Sequence, residues 1–273
     1  NYYPIDMKEL PSAGRYYNGQ QIYIRNFKVI EIKKLAAINA ETAEDVINKI
    51  LSDVVKGVEY DSILSNDKIA IMFYIRVNTF PDPNYKIKYT CNNPIDVKDE
   101  NGDVVKDENG DNKVKPCAHD GDLHFTANDL DITKLGKDFE PSTDLSFTLS
   151  TGEKINWRFA TIADEKNMEQ DVKNAVVTLK TGGVPEDDID SDLMEYSYLI
   201  NTINGVELSL LEKYAFITEG VMPGDYIKLT SAMVERFDFG VDTNIKTVCA
   251  ECSKDVKVAV LFSEQFFFPS YIA

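Results

Sequence analysis

Asn244-Ile245-Lys246-Thr247-Val248, Cys249-Ala250-Glu251-Cys252 and Val256-Lys257-Val258-Ala259-Val260 decide the fold class: apolar and polar residues alternate on both sides of a Cys-x-x-Cys turn. Alternation at period two predicts two antiparallel strands. Two residues between the thiols put both sulfurs on one side of the turn, at two corners of a tetrahedron about 2.3 Å from a zinc ion. A thioredoxin-type redox pair is disfavoured, because a strand rather than a helix follows Cys252.

The other two cysteines occupy a matching place. Tyr85-Lys86-Ile87-Lys88-Tyr89-Thr90 alternates as a strand and delivers Cys91, and Cys117 follows after a polar excursion. Asp67 precedes Cys91 by 24 residues, and Asp225 precedes Cys249 by 24. In the same register Ile69 matches Ile227, Ile71 matches Leu229, Ile75 matches Met233, Asn84 matches Asp242, Ile87 matches Ile245 and Lys88 matches Lys246. Cys117-Ala118-His119-Asp120 matches Cys252-Ser253-Lys254-Asp255, and upstream Gly19-x-x-Ile22-x-Ile24-Arg25 matches Gly152-x-x-Ile155-x-Trp157-Arg158. Apolar matches arise cheaply by chance; the cysteines and their equal spacing from Asp carry the inference.

The fold class expected is therefore α+β. Two pseudo-repeated halves each combine a β-hairpin or strand, helices and a zinc-ribbon-like cysteine turn, and they join at one four-cysteine zinc site. The first half is residues 1–138, with an acidic loop insertion over 92–116; the second is 139–273, with an aromatic C-terminal tail. The boundary falls in the Gly-, Lys-, Asp- and Pro-rich stretch 135–142.

Cys91, Cys117, Cys249 and Cys252 are the metal-ligand candidates, for one zinc per chain. A closed four-thiolate site has no open position, so it is structural rather than catalytic. Its binding contributes on the order of 10 kcal/mol to folding, comparable with a domain's net stability. Two disulfides in an oxidising compartment and four unrelated buried thiols are the competing readings. His119 either replaces Cys117 as ligand, orients it, or stands exposed beside Asp120.

Local patterns supply the remaining elements. Asn18-Gly19 marks a hairpin turn, and Gln21–Phe27 alternates as a strand. Ile30, Leu35 and Ile38 fall on one side of a first helix. A second helix starts after Asn39 or Thr42 with Val46, Ile47, Ile50, Leu51 and Val54 on its apolar face. A third, capped by Asp67, carries Ile69, Ile71, Met72, Ile75 and Arg76. Lys98-Asp99-Glu100-Asn101-Gly102-Asp103 recurs as Lys106-Asp107-Glu108-Asn109-Gly110-Asp111, a tandem octad with almost no core-forming residues. It predicts an exposed hairpin or loop, since the EF-hand order of ligands is not met. Glu186 to Asp192 reads as a solvated approach to a helix with Asp or Ser as cap.

Composition narrows the function classes. Hydrophobic residues at 43% suffice for a core, and a net charge of −17 disfavours electrostatic binding to nucleic acid or anionic membrane. No apolar run reaches the roughly 18–20 residues of a membrane span. No basic-then-apolar signal opens the sequence as given, so the expectation is reducing cytoplasm, where grouped cysteines favour metal over disulfides. Phosphate loops, Gly-x-Gly-x-x-Gly, His-Glu-x-x-His and Gly-x-Ser-x-Gly are absent, and no acid–base pair stands out among the carboxylates. The tail carries Phe262, Phe266, Phe267, Phe268, Pro269 and Tyr271; Phe266 to Pro269 and Tyr271 are candidates for a partner interface, with one or two of the aromatic residues packing in the core.

Three stretches resemble one family in the right order. Leu10-Pro11-Ser12-Ala13-Gly14-Arg15-Tyr16-Tyr17 resembles the Leu-Pro-Ser-x-Gly-x-x-Tyr opening of the T-even-type phage baseplate hub subunit family. Leu64-Ser65-Asn66-Asp67, Ile75-Arg76-Val77, Tyr85 and Cys91 are similar to its central region. Cys249-x-x-Cys252 followed by Phe266-Phe267-Phe268-Pro269-Ser270 is similar to its Cys-x-x-Cys…Phe-Phe-x-Pro-Ser ending. The sequence departs where the octads split the first cysteine pair, where Phe80–Asn84 stands in place of a Gly, and at Phe268 in place of Arg or Trp.

The resemblance implies a non-enzymatic part of the contractile-tail baseplate hub, made in the host cytoplasm and placed in the virion baseplate. Its partners would be other baseplate and tail proteins, with several symmetric copies in the assembly. An assembly chaperone absent from the mature virion is the first alternative. A zinc-ribbon regulator is disfavoured by charge, and a metalloenzyme would need a labile ligand position.

Overall fold

The computed structural model describes residues 1–37, 43–80 and 84–260. Its helices are α1 (Val29–Leu35), α2 (Ala43–Val54), α3 (Ser65–Thr79), α4 (Pro141–Asp144), α5 (Ile162–Thr181), α6 (Ser191–Tyr198), α7 (Leu210–Ala215) and α8 (Pro223–Phe237). Its strands are β1 (Tyr3–Pro4), β2 (Tyr23–Ile24), β3 (Val55–Lys56), β4 (Tyr85–Thr90), β5 (Pro94–Asp96), β6 (Val114–Pro116), β7 (Asp120–Phe125), β8 (Ile132–Thr133), β9 (Ser146–Thr148), β10 (Lys154–Trp157), β11 (Ile200–Ile203), β12 (Gly240–Val241), β13 (Asn244–Val248) and β14 (Asp255–Ala259). Helices mix with small antiparallel sheets, and the chain divides into two discontinuous compact units. The first comprises residues 1–24, 55–72 and 132–241; the second comprises the described residues of 25–54, 73–131 and 242–260.

In the first unit, two three-stranded antiparallel sheets present alternate residues to the core. The order β1-β2-β3 sets Ile24 opposite Tyr3 and Val55, and Ile22 and Ile24 are fully buried. The order β11-β10-β9 sets Ile155 opposite Ile203 and Phe147, with Ile155 and Trp157 buried. Phe159 is the centre of an aromatic group whose ring centroids lie 5.2 Å from Tyr16, 5.5 Å from Phe139 and 4.8 Å from Phe239. Offset and edge-on aromatic packing of this kind adds about 0.5–1.5 kcal/mol per pair beyond area burial.

The Asn18-Gly19 turn forms, with φ of 49° and 77°. The hairpin expected around it does not. β2 is only two residues long, and its partners are Tyr3–Pro4 and Val55–Lys56 rather than the residues just before the turn. A two-residue strand has too few ladder bonds to be specified locally, so distant partners decide it.

Two carboxylates tie loops to helix starts. Asp67, expected as a cap, instead lies inside the first turn of α3, fully buried. It accepts from the Ser12 amide at 2.8 Å, the Ser12 hydroxyl at 2.5 Å and the Tyr17 hydroxyl at 2.6 Å. Tyr17 Oη in turn accepts the Leu64 amide at 3.3 Å. Asp225, in the first turn of α8, accepts from the Ser150 amide at 2.8 Å and its hydroxyl at 2.5 Å.

Their environments push the two acids in opposite directions. Burial raises the Asp67 pKa above the ordinary carboxylate value even though its donors oppose the shift. The Ser150 bonds lower that of Asp225. Asp225 therefore stabilises the fold above the ordinary carboxylate value and loses that contribution as pH falls through its depressed pKa. Asp67 contributes most below the ordinary value and loses that contribution as pH rises through its elevated pKa. Urea midpoints measured from pH 3 to 7 should converge with wild type at low pH for Asp225→Asn. For Asp67→Asn the gap should instead widen toward low pH. Parallel slopes for the two variants would contradict this assignment.

In the second unit, α2 buries Ile47, Ile50, Leu51 and Val54 at the expected i, i+3, i+4, i+7 spacing. In α1, Leu35 is buried but Ile30 is 56% exposed, so the expected apolar face is narrower; Ile38 lies outside the described residues, as do Asn39 and Thr42. β4 pairs with β7 over six residues, from Tyr85↔Phe125 to Thr90↔Asp120. The Tyr85 ring stacks on Phe125 at 4.8 Å, and the buried Arg76 guanidinium lies 4.0 Å from the Tyr85 centroid.

The octads fold as two successive exposed turns above the β5–β6 ladder, rather than as one hairpin. Asp99 accepts the amides of Asn101 and Asp103, each at 2.9 Å. Asp107 accepts those of Asn109 at 2.9 Å and Asp111 at 3.0 Å. Gly102 and Gly110 supply the positive φ, 87° and 85°, that each turn requires. Since these turns bury no large side chain, deleting one octad, Lys98–Val105, should shift the thermal midpoint by less than about 2 °C. A larger fall would mean that the loop supports the cysteine turns.

Candidate metal centre

Four strand ends of the second unit carry the cysteines. β4 ends at Cys91, β7 starts just after Cys117-Ala118-His119, and β13 and β14 flank Cys249 and Cys252. The two turns share one bonding scheme. The Cys91 amide donates to His119 O at 2.8 Å and the Ala118 amide to Cys91 O at 2.8 Å. The Cys249 amide donates to Lys254 O at 3.0 Å and the Ser253 amide to Cys249 O at 2.9 Å. Ala118 and Ser253 hold nearly equal left-handed conformations, φ 56° and 55°. Such a conformation is uncommon for residues with a Cβ, so its recurrence reflects a required backbone path. Asn93 Nδ2 donates to Asp255 O at 2.9 Å, and Lys254 Nζ donates to Pro94 O, joining one turn to the other.

The sulfurs gather in one place. Cys91 Sγ lies 3.7 Å from Cys252 Sγ, Cys117 Sγ lies 3.8 Å from Cys249 Sγ, and all four lie within 4.8 Å of one another. Metal–sulfur bonds of about 2.3 Å in a tetrahedron require sulfur–sulfur edges near 3.8 Å. A disulfide needs about 2.05 Å, and all four cysteines are free. Cys91 and Cys249 are buried, while Cys117 and Cys252 are partly exposed.

The surroundings treat the thiols unequally. Backbone amides of Cys252 and Glu251 point at Cys249 and hold its pKa down to about 6. Burial pushes Cys117 up to about 12 and also raises Cys91, against amide bonds from His119 and Asn93 respectively. The donor set, four sulfurs with amides directed at three of them, suits a soft or borderline cation held as thiolates.

The sequence named these four residues, and the structure brings all four together. His119 takes no place among the clustered ligand atoms and serves through its backbone, as acceptor for Cys91 and donor to Cys117. The tail candidates Phe266, Phe267, Phe268, Pro269 and Tyr271 lie outside the described residues, as does Phe262. Among the described residues no other group of three or more His, Cys, Asp or Glu gathers as a cation site, and no helix is long and apolar enough to cross a membrane.

Sequence reading missed the Ser12–Asp67 and Ser150–Asp225 ties, and two Arg–carboxylate pairs. Arg25 donates to Glu31 at 2.9 Å; Arg158 bonds both carboxylate oxygens of Asp164, one at 2.8 Å. The available signal was a Ser-x-Gly in each half, Ser12-Ala13-Gly14 and Ser150-Thr151-Gly152, and an acid six residues after each matched Arg.

A family model described as T4 bacteriophage base plate protein matches residues 3–269. No curated protein and no solved structure matches the chain.

Proposed function

The chain belongs to the T4 bacteriophage base plate protein family, and we propose that it is a non-enzymatic component of the baseplate hub, built from two duplicated halves clamped by one structural zinc. The observation that carries the clamp is the closed set of four sulfurs at tetrahedral spacing. Cys91 and Cys117 come from the half 1–138, Cys249 and Cys252 from the half 139–273, and each 3.7–3.8 Å approach joins a sulfur of one half to a sulfur of the other. Zinc bound there supplies no chemistry beyond cross-linking, since four thiolates leave no position for substrate.

Duplication is supported by contacts that no sequence match required. Ser12–Asp67 repeats as Ser150–Asp225, and Arg25–Glu31 as Arg158–Asp164. The Arg25 amide donates to Val54 O at 3.1 Å, and the Arg158 amide to Leu199 O at 3.0 Å, each just before the third strand of its sheet. Recurrence of three such contacts in the two halves is not expected of unrelated segments.

The hub reading follows the order of motifs from Leu10–Tyr17 to Cys249–Cys252. The partners are other baseplate and tail proteins, and the subunit is present in several symmetric copies. Quantitative mass spectrometry of purified infectious particles tests it. A fixed ratio to known tail proteins is the expected result; presence in lysate with absence from particles would make the chain an assembly factor instead. Metal analysis of protein purified without chelator should give about one zinc per chain.

A further inference from the structure

Outside the cysteine turns, the first unit carries a cleft of about 440 Å³ beside α5 and α7. Its floor is apolar, formed by Ala175, Leu210 and Leu211, and two cations line it, Arg158 and Lys213. Arg158 is already matched by Asp164, and its guanidinium lies 5.7 Å from the Tyr198 ring centroid. The carboxylate lining the cleft, Asp171, is engaged by the Tyr198 hydroxyl.

Lys213 differs from the other cation. It is partly withdrawn from water, forms no ion pair among the described residues, and senses Glu207 only at a distance. Burial, and then the Arg158 charge, both press its pKa downward. An ammonium withdrawn from water without a counter-ion costs free energy that an arriving anion recovers. The matched pair in the first half lacks this opening: the Arg25 and Glu31 side chains are 12% and 6% exposed, whereas Arg158 is 36% exposed.

We propose that this cleft docks an acidic side chain, flanked by aliphatic residues, on a partner polypeptide. Its carboxylate meets Lys213 and the open edge of Arg158, and its aliphatic neighbours rest on Leu210 and Leu211. Asn174, which also lines the cleft and whose Oδ1 accepts from Gln170 Nε2 at 2.9 Å, offers its Nδ2 amide to the peptide backbone, while the Ser209 hydroxyl is taken up by Glu212. A polyphosphate chain fits less well, because one unmatched cation over an apolar floor suits an isolated charge, and the net charge of −17 repels a polyanion from afar. Only the partner's origin rests on the hub reading; the chemistry of the cleft does not.

Fluorescence anisotropy of the full chain with labelled acetyl-Leu-Leu-Glu-Leu-amide tests the proposal at low salt. The Glu probe should bind about tenfold more tightly than its Gln counterpart, the scale of one charged hydrogen bond. Lys213→Met should remove that preference while leaving circular dichroism unchanged and the thermal midpoint no lower than that of wild type. Equal binding of the two probes, no binding of the Glu probe, an undiminished preference in Lys213→Met, or tighter binding of a single-stranded oligonucleotide that Lys213→Met weakens would each overturn it. A failure here leaves the particle measurement untouched, and absence from particles leaves this one untouched.

Discussion

Cys249→Ser should release the metal and leave the four-cysteine unit largely unfolded. Structural zinc contributes an apparent 10–16 kcal/mol or so in small domains, and the whole net stability of a domain is about 5–15 kcal/mol. Losing a ligand from such a site therefore removes a share as large as the margin itself. Cys249 is the ligand to change because it is fully buried and because two backbone amides already favour its thiolate. A metal-free cluster would behave differently. Its thiols would be small buried hydrophobes, and a serine in their place would cost only about 1–2 kcal/mol. The two cases are far enough apart for urea unfolding, followed by far-ultraviolet circular dichroism, to separate them. A strong chelator added to wild type should reproduce the variant, and cobalt should restore the fold of wild type with the visible spectrum of a tetrahedral thiolate site. Wild-type stability in both the chelator-treated protein and the variant would reduce the cluster to core packing.

What the sequence revealed and what it hid divide along the range of the interactions involved. The face of α2, the alternation of β4, and the paired strands β13 and β14 were legible, because a period of 3.6 or 2 is written in consecutive residues. The gathering of the four cysteines was legible for a different reason: cysteine is rare in this chain, and all four copies lie in the turns between paired strands. The sheet β1-β2-β3 was not, since each of its strands is two residues long and β3 pairs with a strand about thirty residues away. Asp67 was read as a cap from its position before an apolar run. Its partners Ser12 and Tyr17 lie 55 and 50 residues upstream, beyond the reach of any local rule. The octads were read as one excursion, whereas each contains a complete turn, with Asp as acceptor and Gly at positive φ.

The same division bears on the proposed duplication, which is sparse in sequence yet denser in contacts. Residues that only fill space drift freely: Trp157 stands where Ile24 does, and both are buried. Residues that satisfy a buried backbone amide have fewer substitutes, because an orphaned donor costs more than a changed volume. Asp67 and the Ser12 it holds belong to this second class.

Asp67→Ala is accordingly expected to be the most damaging single change outside the cysteines. It leaves the Ser12 amide, the Ser12 hydroxyl and the Tyr17 hydroxyl without their acceptor in a fully buried place. Each buried group left unpaired costs about 1–3 kcal/mol, and hydroxyls recover part of this by rotating, whereas the Ser12 amide does not. A loss of roughly 3–6 kcal/mol follows, lowering the thermal midpoint by about 10 °C or more. Tyr17→Phe removes one donor together with the acceptor of the Leu64 amide, and should cost about 1–3 kcal/mol. Combining the two substitutions should cost less than their sum, because both break the same network. Trp157 is the one tryptophan, buried in the core of the unit that holds Asp67, so its fluorescence during urea unfolding reports the relevant transition. Strict additivity of the pair, or an Asp67→Ala cost below about 1 kcal/mol, would show that the network is a consequence of packing rather than a source of stability.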